Sequence, residues 1–455
     1  MTSTKLAGLV ALFPVGVAIT DPDLMEKYRR DYTTYPVAGH PLAVVRAETS
    51  QQVQACLRWA SEHRVPVVPR GTGTGLSGGA TAIDGCVVLS LERMAAIEVD
   101  PVCGIATVEP GALNVDVKTA AAAHGLWYPP DPASFRMSSI GGNVATNAGG
   151  LCCVKYGVTV DYVLGLEVVL ADGTLVKLGG RTFKDVAGLP LVKLFVGSEG
   201  TLGVVTRVHL RLVPMPPPAS TMVATFPTLR SAGDAVVAIM GRMRPSMLEM
   251  MNQVIINAVE DHQAMGLDRD AAVLLLGQSD SPGDVRSQEV ALMTELCLAA
   301  GAKEAFATDD PQEGEQFVEV RRTAGSAIAA RGSLLPEDIA VPIDRLPELL
   351  ENIARIAVEH KVEIPLAAHA GDGNAHPAVI YDASDPVMCA NAYAAFDALL
   401  RAAIACGGTI TGEHGVGRMK RHMLPEQLGP DVLALNLRIK AAFDPAGTLN
   451  PGVMF

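Results

Sequence analysis

The stretch PPDPASFRMSSIGGNVATNAGG, residues 129–150, is dense in glycine, serine and asparagine and short of helix formers. Connections between elements typically span about 4–6 residues, so a polar run this long has a task beyond joining its neighbours. Upstream, a short strand ending at Arg70 runs into PRGTGTGLSGGA, residues 69–80, where five glycines fall within nine residues. Glycine lets backbone N–H groups turn inward and approach oxygens that a Cβ would block. Taken alone, that loop fits an anion cradle or a packing loop equally well. It is not a P-loop, because the Gly-Lys-Ser/Thr ending is absent. A third loop of the same kind follows at VGSEGTLGVVT, residues 196–206. Three polar glycine loops in one half of a chain suit a large ligand with a pyrophosphate and a flat ring.

Around these loops, short strands alternate with helices in an α+β pattern. LAVVRA (42–47), CVVLSL (86–91), IATVEPG (105–111), GLEVVLADG (165–173) and LGVVTRVHLRLV (202–213) read as strands. Ser50 is the expected N-cap of a helix through about Glu62, and further helices are expected near 111–125 and 190–196. Consecutive prolines cannot continue a helix or a central strand, so PMPPPAS, residues 214–220, marks an internal boundary. Longer helices follow near 228–243, 284–300, 312–331, 345–360 and 385–406.

With 455 residues, 49% of them apolar, the chain can bury large cores. A net charge of −13 spread along the sequence, with no basic stripe, argues against a nucleic-acid partner. The eight cysteines form no Cys-x-x-Cys pair and no framework, which favours a reducing compartment. Residues 6–19, LAGLVALFPVGVAI, have the look of a signal h-region, but Pro14 interrupts the run and no small-x-small site follows, so a first helix and strand is expected.

HAGDGNAHP, residues 369–377, sets two histidines around a tight turn. A two-residue loop at Asp372 and Gly373 places His369 opposite His376, on one face of a hairpin. GEHG, residues 412–415, offers Glu413 and His414 on a flexible turn. Two imidazoles and one carboxylate form a zinc-type set with an open coordination position. A capped turn beside an ordinary hairpin explains the same residues.

Taken in order, PRGTGTGLSGGA, SSIGGNVATNAGG, GSEGTLGVVT, HAGDGNAHP, GGTITGEHGVG and FDPAGTLNPG resemble the flavin-dependent D-2-hydroxyacid dehydrogenases over nearly the whole chain. That family, which includes glycolate oxidase catalytic subunits, D-lactate dehydrogenases and D-2-hydroxyglutarate dehydrogenases, has the vanillyl-alcohol oxidase flavoprotein fold. The resemblance implies an α+β protein with a two-subdomain FAD-binding domain of the vanillyl-alcohol oxidase (PCMH) type and an α+β substrate or cap domain. The implied segments are an N-terminal helical segment at 1–36, an FAD-binding domain at 37–216, a cap domain with a metal site at 217–430, and a tail at 431–455 that returns to the flavin.

It implies FAD held at the pyrophosphate by Arg70, Gly71, Thr72, Gly73, Thr74, Gly75, Leu76 and Ser77. Pro130, Asp131, Ser138, Gly142, Asn143, Thr146 and Gly149 would line its middle, Val204 would lie near the adenine, and Asn450 would approach the isoalloxazine. Some relatives attach flavin through a histidine in the first loop. Residues 69–80 contain none, so the FAD is expected to be non-covalent. A divalent metal, usually zinc, falls on His369, His376 and Glu413, with His414 as general base and Arg321, beside Arg322, as anchor for the substrate carboxylate. Where D-2-hydroxyglutarate members use a threonine and a lysine for a distal carboxylate, this chain has Gly325 and Pro336, which favours D-lactate or glycolate unless Arg331 replaces the lysine.

The chain has no cysteine cluster or haem motif to pass electrons onward. An external acceptor is expected: a quinone, a cytochrome, an electron-transfer flavoprotein or an iron–sulfur subunit. The expected setting is the cytoplasm or the inner face of the membrane, with a homodimer as one assembly. Two rival readings use the same residues: a zinc hydrolase of a nucleotide-like substrate, and a non-catalytic flavin-binding subunit.

Overall fold

Strand Val67–Arg70, which delivers the first glycine loop, ends a four-stranded sheet in the computed structural model, which describes residues 2–33 and 35–455. The order is Ala18–Ile19, Ala43–Arg46, Val87–Ser90, Val67–Arg70, and the last three run parallel. Ala43, Val45, Val67, Val87 and Leu89 are buried in one cluster with Val53, Cys56, Leu57 and Ala60 of helix Ser50–His63. Near-continuous apolar runs of this kind belong to parallel strands covered on both faces. The cap of that helix is Thr49 and not the expected Ser50: Thr49 is extended, at φ −142°, and its Oγ1 accepts the Gln52 N–H at 3.3 Å. A cap must sit outside the helical region while its oxygen reaches back to the first turn, and Ser50 is already helical.

The sheet lies in the first of two units, which comprises residues 1–149, 158–215 and 413–455. The same unit holds an antiparallel five-stranded sheet in the order Ile97–Asp100, Ile105–Val108, Val204–Arg211, Val163–Val169, Leu175–Gly179. Along Val204–Arg211, buried and half-buried positions alternate strictly, so one face meets the core. That core includes Val117 and Ala121 of helix Asn114–Ala122 and Ile140 and Val144 of helix Ile140–Thr146. The second helix lies inside the stretch read as poor in helix formers. Ser139 caps it, with Oγ accepting the Gly142 N–H, and Asn147 closes it in the left-handed region. The cap and the burial of Ile140 and Val144, four residues apart, outweigh the low propensity of Gly141 and Gly142. Helix Leu424–Phe443, kinked at Gly429 before Pro430, went unread in the sequence.

The second unit comprises residues 150–157 and 216–412. Its antiparallel sheet runs Glu304–Thr308, Ser220–Phe226, Val273–Ser279, Met247–Asn252, Leu366–His369, Asn374–Tyr381, Ser333–Pro336, and Ile339–Ala340 also pairs with Asn374–Tyr381. Helices Gln253–His262 and Pro311–Ala329 pack together over it, their apolar sides merging in one core cluster. Helix Pro386–Ala405 is long and apolar enough by composition to cross a membrane. It packs on Asn374–Tyr381 and on helix Leu346–His360. Its buried residues Ala392, Ala395, Phe396, Leu399, Leu400 and Ala403 form the one-sided stripe of a core helix.

Candidate active site

In the first unit, the glycine loop leaves the sheet at Arg70, and several of its polar atoms are buried. Arg70 Nη1, Thr72 Oγ1 and Ser138 Oγ have no hydrogen-bond partner among the described residues. Buried polar groups are satisfied in nearly all native proteins, so three such atoms on the predicted loops mark a place where a polar ligand completes the structure. Burial also pushes the Arg70 guanidinium below its ordinary range, and an anion there would offset the cost of burying its charge. Gly73 sits at φ +80°, and a Cβ on it would lie 2.0 Å from Arg70 Nη2. These features fit the pyrophosphate of FAD.

The loops are tied together behind that cradle. Asn114 Nδ2 donates to the Pro130 carbonyl (3.1 Å) and to Asn143 Oδ1 (3.0 Å), holding the 129–131 segment to helix Ile140–Thr146. Thr146 Oγ1 donates to the Gly142 carbonyl at 3.3 Å. Asn450 Nδ2 donates to the Gly79 and Glu199 carbonyls, at 2.9 and 2.8 Å, so the tail knots the first and third loops. Val204 is buried in the core at the start of its strand. Two residues of this knot were missed in the sequence. Arg418 Nη1 donates to the Gly78 carbonyl (3.1 Å), and Glu199 accepts the Val416 and Gly417 N–H groups at 2.8 and 2.9 Å. Burial pushes Glu199 up to about 7 despite those two donors. Ser77 Oγ donates to the His414 carbonyl at 3.1 Å, so the first glycine loop carries the backbone of the expected base. A Cβ on Gly417 would lie 1.9 Å from the Ser77 carbonyl oxygen, which explains a glycine at that crossing. Glu413 Oε1 stands 3.9 Å from His414 Nε2.

In the second unit the hairpin register differs from the expected one. His369 opposes Asn374, and His376 opposes Ala367, because residues 370–373 form a four-residue loop. Asp372 shapes it: its N–H donates to the His369 carbonyl at 3.2 Å, and its Oδ1 accepts the Asn374 N–H at 3.1 Å. A shift of two residues keeps every side chain on its face. The two imidazoles therefore still meet, with ring centroids 4.9 Å apart and planes at 83°.

His369 is buried, and its Nδ1 lies 2.6 Å from Glu249 Oε1. Glu249 Oε2 accepts Arg321 Nε–H at 2.8 Å. Arg321 is thus the interior arginine. Arg322 faces outward and pairs with Glu315 and Glu319, as helical neighbours about 100° apart must diverge. Arg331 pairs with Glu363 at 3.0 Å on the surface. Below the hairpin, fully buried Asp338 accepts Asn374 Nδ2 (2.7 Å), Thr411 Oγ1 (2.7 Å) and the Gly412 N–H (2.9 Å). It fixes the last residues before Glu413. Glu249 and Asp338 belong to no motif, and the available signal was each acid's place in an apolar run, where a carboxylate needs a partner.

Comparison with known proteins gives a consistent result. Residues 41–179 match the FAD binding domain family, and residues 215–454 match the C-terminal domain of FAD linked oxidases. The chain is 40% identical over 418 residues to glycolate oxidase subunit GlcD of Bacillus subtilis strain 168, covering 91% of this chain and 89% of that protein. It is 34% identical over 456 residues to a D-lactate dehydrogenase of Archaeoglobus fulgidus, covering 98% of each. Among solved structures, p-cresol methylhydroxylase with substrate bound superposes with a TM-score of 0.82 at 19% identity, over 99% of this chain and 96% of that one. The 4-ethylphenol oxidase of Gulosibacter chungangensis superposes at 0.81, also at 19% identity and over the same shares. These two likenesses show the fold, the vanillyl-alcohol oxidase type that the family resemblance implies.

Proposed function

The chain belongs to the FAD-linked oxidases, and on that premise we propose that it oxidises a D-2-hydroxy acid, D-lactate or glycolate, to the 2-oxo acid and passes the electrons to an external acceptor. The observation that carries this reading is buried Arg321 with its Nε engaged by Glu249. That contact commits one edge of the guanidinium and leaves the two Nη groups as the edge for a carboxylate, held in two parallel hydrogen bonds. The similar proteins named glycolate oxidase subunit and D-lactate dehydrogenase support a small acid. So do Gly325 and Pro336, which carry no charge for a distal carboxylate, and Arg331, which is engaged by Glu363.

His369, His376 and Glu413 would hold a divalent cation, zinc by donor type. The donor chemistry fits: a carboxylate on His369 Nδ1 puts the proton there and turns the lone pair to Nε2. Bound FAD supplies the hydride acceptor, and a bound cation supplies Lewis acidity toward the substrate hydroxyl. His414 takes the hydroxyl proton as the C2–H bond breaks, an imidazole being suited to that transfer near neutral pH. Arg321 fixes the carboxylate so that C2 cannot turn. FAD would be held non-covalently by residues Arg70 to Ser77, by Pro130, Asp131, Ser138, Gly142, Asn143, Thr146 and Gly149, and by Val204 and Asn450. A quinone, a cytochrome, an electron-transfer flavoprotein or an iron–sulfur subunit takes the electrons, in the cytoplasm or at the inner membrane face.

The test is the visible spectrum of the purified protein under anaerobic conditions, with D-lactate, L-lactate, glycolate and D-2-hydroxyglutarate added separately. A flavin spectrum bleached by D-lactate or glycolate is expected. Bleaching by D-2-hydroxyglutarate alone would move the substrate. A colourless protein that FAD cannot reconstitute would overturn the reading.

A further inference from the structure

We propose that Glu249 is a positioning residue that orients the metal-ligating imidazole of His369 and the carboxylate anchor Arg321 through one carboxylate. The inference rests on the proposed function, in which those two residues touch the cation and the substrate.

Glu249 lies mid-strand in Met247–Asn252, among Met247, Leu248, Met250 and Met251, and only 1% of it is exposed. An acid buried in such a strand is costly unless its charge is shared. Its strand pairs with Leu366–His369 in a register that sets Glu249 directly across from His369. Oε1 reaches His369 Nδ1 at 2.6 Å and Oε2 accepts Arg321 Nε–H at 2.8 Å. These partners lie 120 and 72 residues away in sequence, on a strand and on a helix.

An ionised carboxylate only accepts, so His369 donates from Nδ1 and presents Nε2 with its lone pair. That pairing fixes the tautomer and ring orientation of a ligating histidine and raises its basicity. The second oxygen takes the Nε–H of Arg321, which sets the plane of the guanidinium and therefore the direction of its Nη edge. One side chain thereby fixes the distance and angle between the cation's ligand and the carboxylate anchor. A plain ion pair between Glu249 and Arg321 would account for Oε2 alone.

The experiment uses the full-length, FAD-loaded protein and its Glu249→Gln variant. The zinc dissociation constant is measured by competition with a chromophoric chelator, and kcat and KM are measured with the acid that bleaches the flavin. Gln keeps the size, and its single carbonyl oxygen can serve His369 or Arg321 but not both. The expected result is zinc affinity weaker by about 10–100-fold, with a raised KM and an unchanged flavin spectrum. Glu249→Asp, which keeps both acceptors on a shorter stem, should recover part of both losses, and it decides the matter by the same two readouts if the Gln variant does not fold. Wild-type zinc affinity and KM in the variant would overturn the inference while leaving the proposed function standing. A wild-type chain that binds no zinc would overturn the metal reading, and this inference with it.

Discussion

In the first unit, Arg70, Thr72 and Ser138 hold buried polar atoms that no described residue satisfies, whereas in the second unit both oxygens of Glu249 are taken, by His369 and by Arg321. The first region is built mostly of backbone and glycine and leaves polar atoms for a ligand to satisfy. The second is built of charged side chains that the protein has already oriented. The difference is one of construction: the loops leave polar atoms for a ligand to satisfy, whereas the charged side chains already hold one another in place, which is the preorganisation that the proposed handling of charge requires.

The largest effect is expected where the proton is taken. His414→Ala should leave the yellow colour and zinc binding intact while slowing substrate-driven flavin reduction by about 10²–10⁴-fold, as measured by stopped-flow absorbance. Loss of FAD from this variant would show instead that His414 is part of the cradle.

A second prediction concerns the knot behind the cradle. The Glu199 carboxyl, ordinarily near 4.5, is pushed up to about 7 by burial. The folded state therefore holds this proton more tightly than the unfolded chain does. The contribution to stability is complete below about pH 4.5, falls as the unfolded chain ionises, and is lost as pH rises through about 7. At 1.36 kcal/mol per pKa unit, the span is on the order of 3 kcal/mol. Glu199→Gln removes this titration, so the difference in urea midpoint between pH 5 and pH 8 should shrink relative to wild type. An unchanged difference would place the titrating group elsewhere.

The smallest effect is expected from Gly73→Ala, which adds a Cβ at φ +80° against Arg70. Strain of this kind costs about 1–3 kcal/mol, so FAD content after dialysis should fall while zinc affinity stays at the wild-type value. A fall in zinc affinity instead would show that the two regions are not separately built.

The same contrast governs what could be read in the sequence. The glycine loops were legible because their pattern is local: glycines and short polar residues in continuous runs, with Ser77, Ser138 and Asn143 inside them. The hairpin histidines were legible as a pair even with the register shifted by two, since the strand period preserves the face. Arg321 and Arg322 were separated only by the helical face that packs inward. Glu249 and Asp338 were missed because their partners come from strands and helices distant in sequence. Helix Ile140–Thr146 was missed because a Ser cap and two buried apolar residues outweigh its glycines.

The most direct test is the anaerobic bleaching rate of the flavin with its best acid, measured before chelation, after chelation and after zinc is returned. Chelation is expected to leave the yellow colour and abolish bleaching, and returned zinc to restore it. Bleaching at the full rate in the chelated protein would contradict the assignment of His369, His376 and Glu413 to a working metal centre.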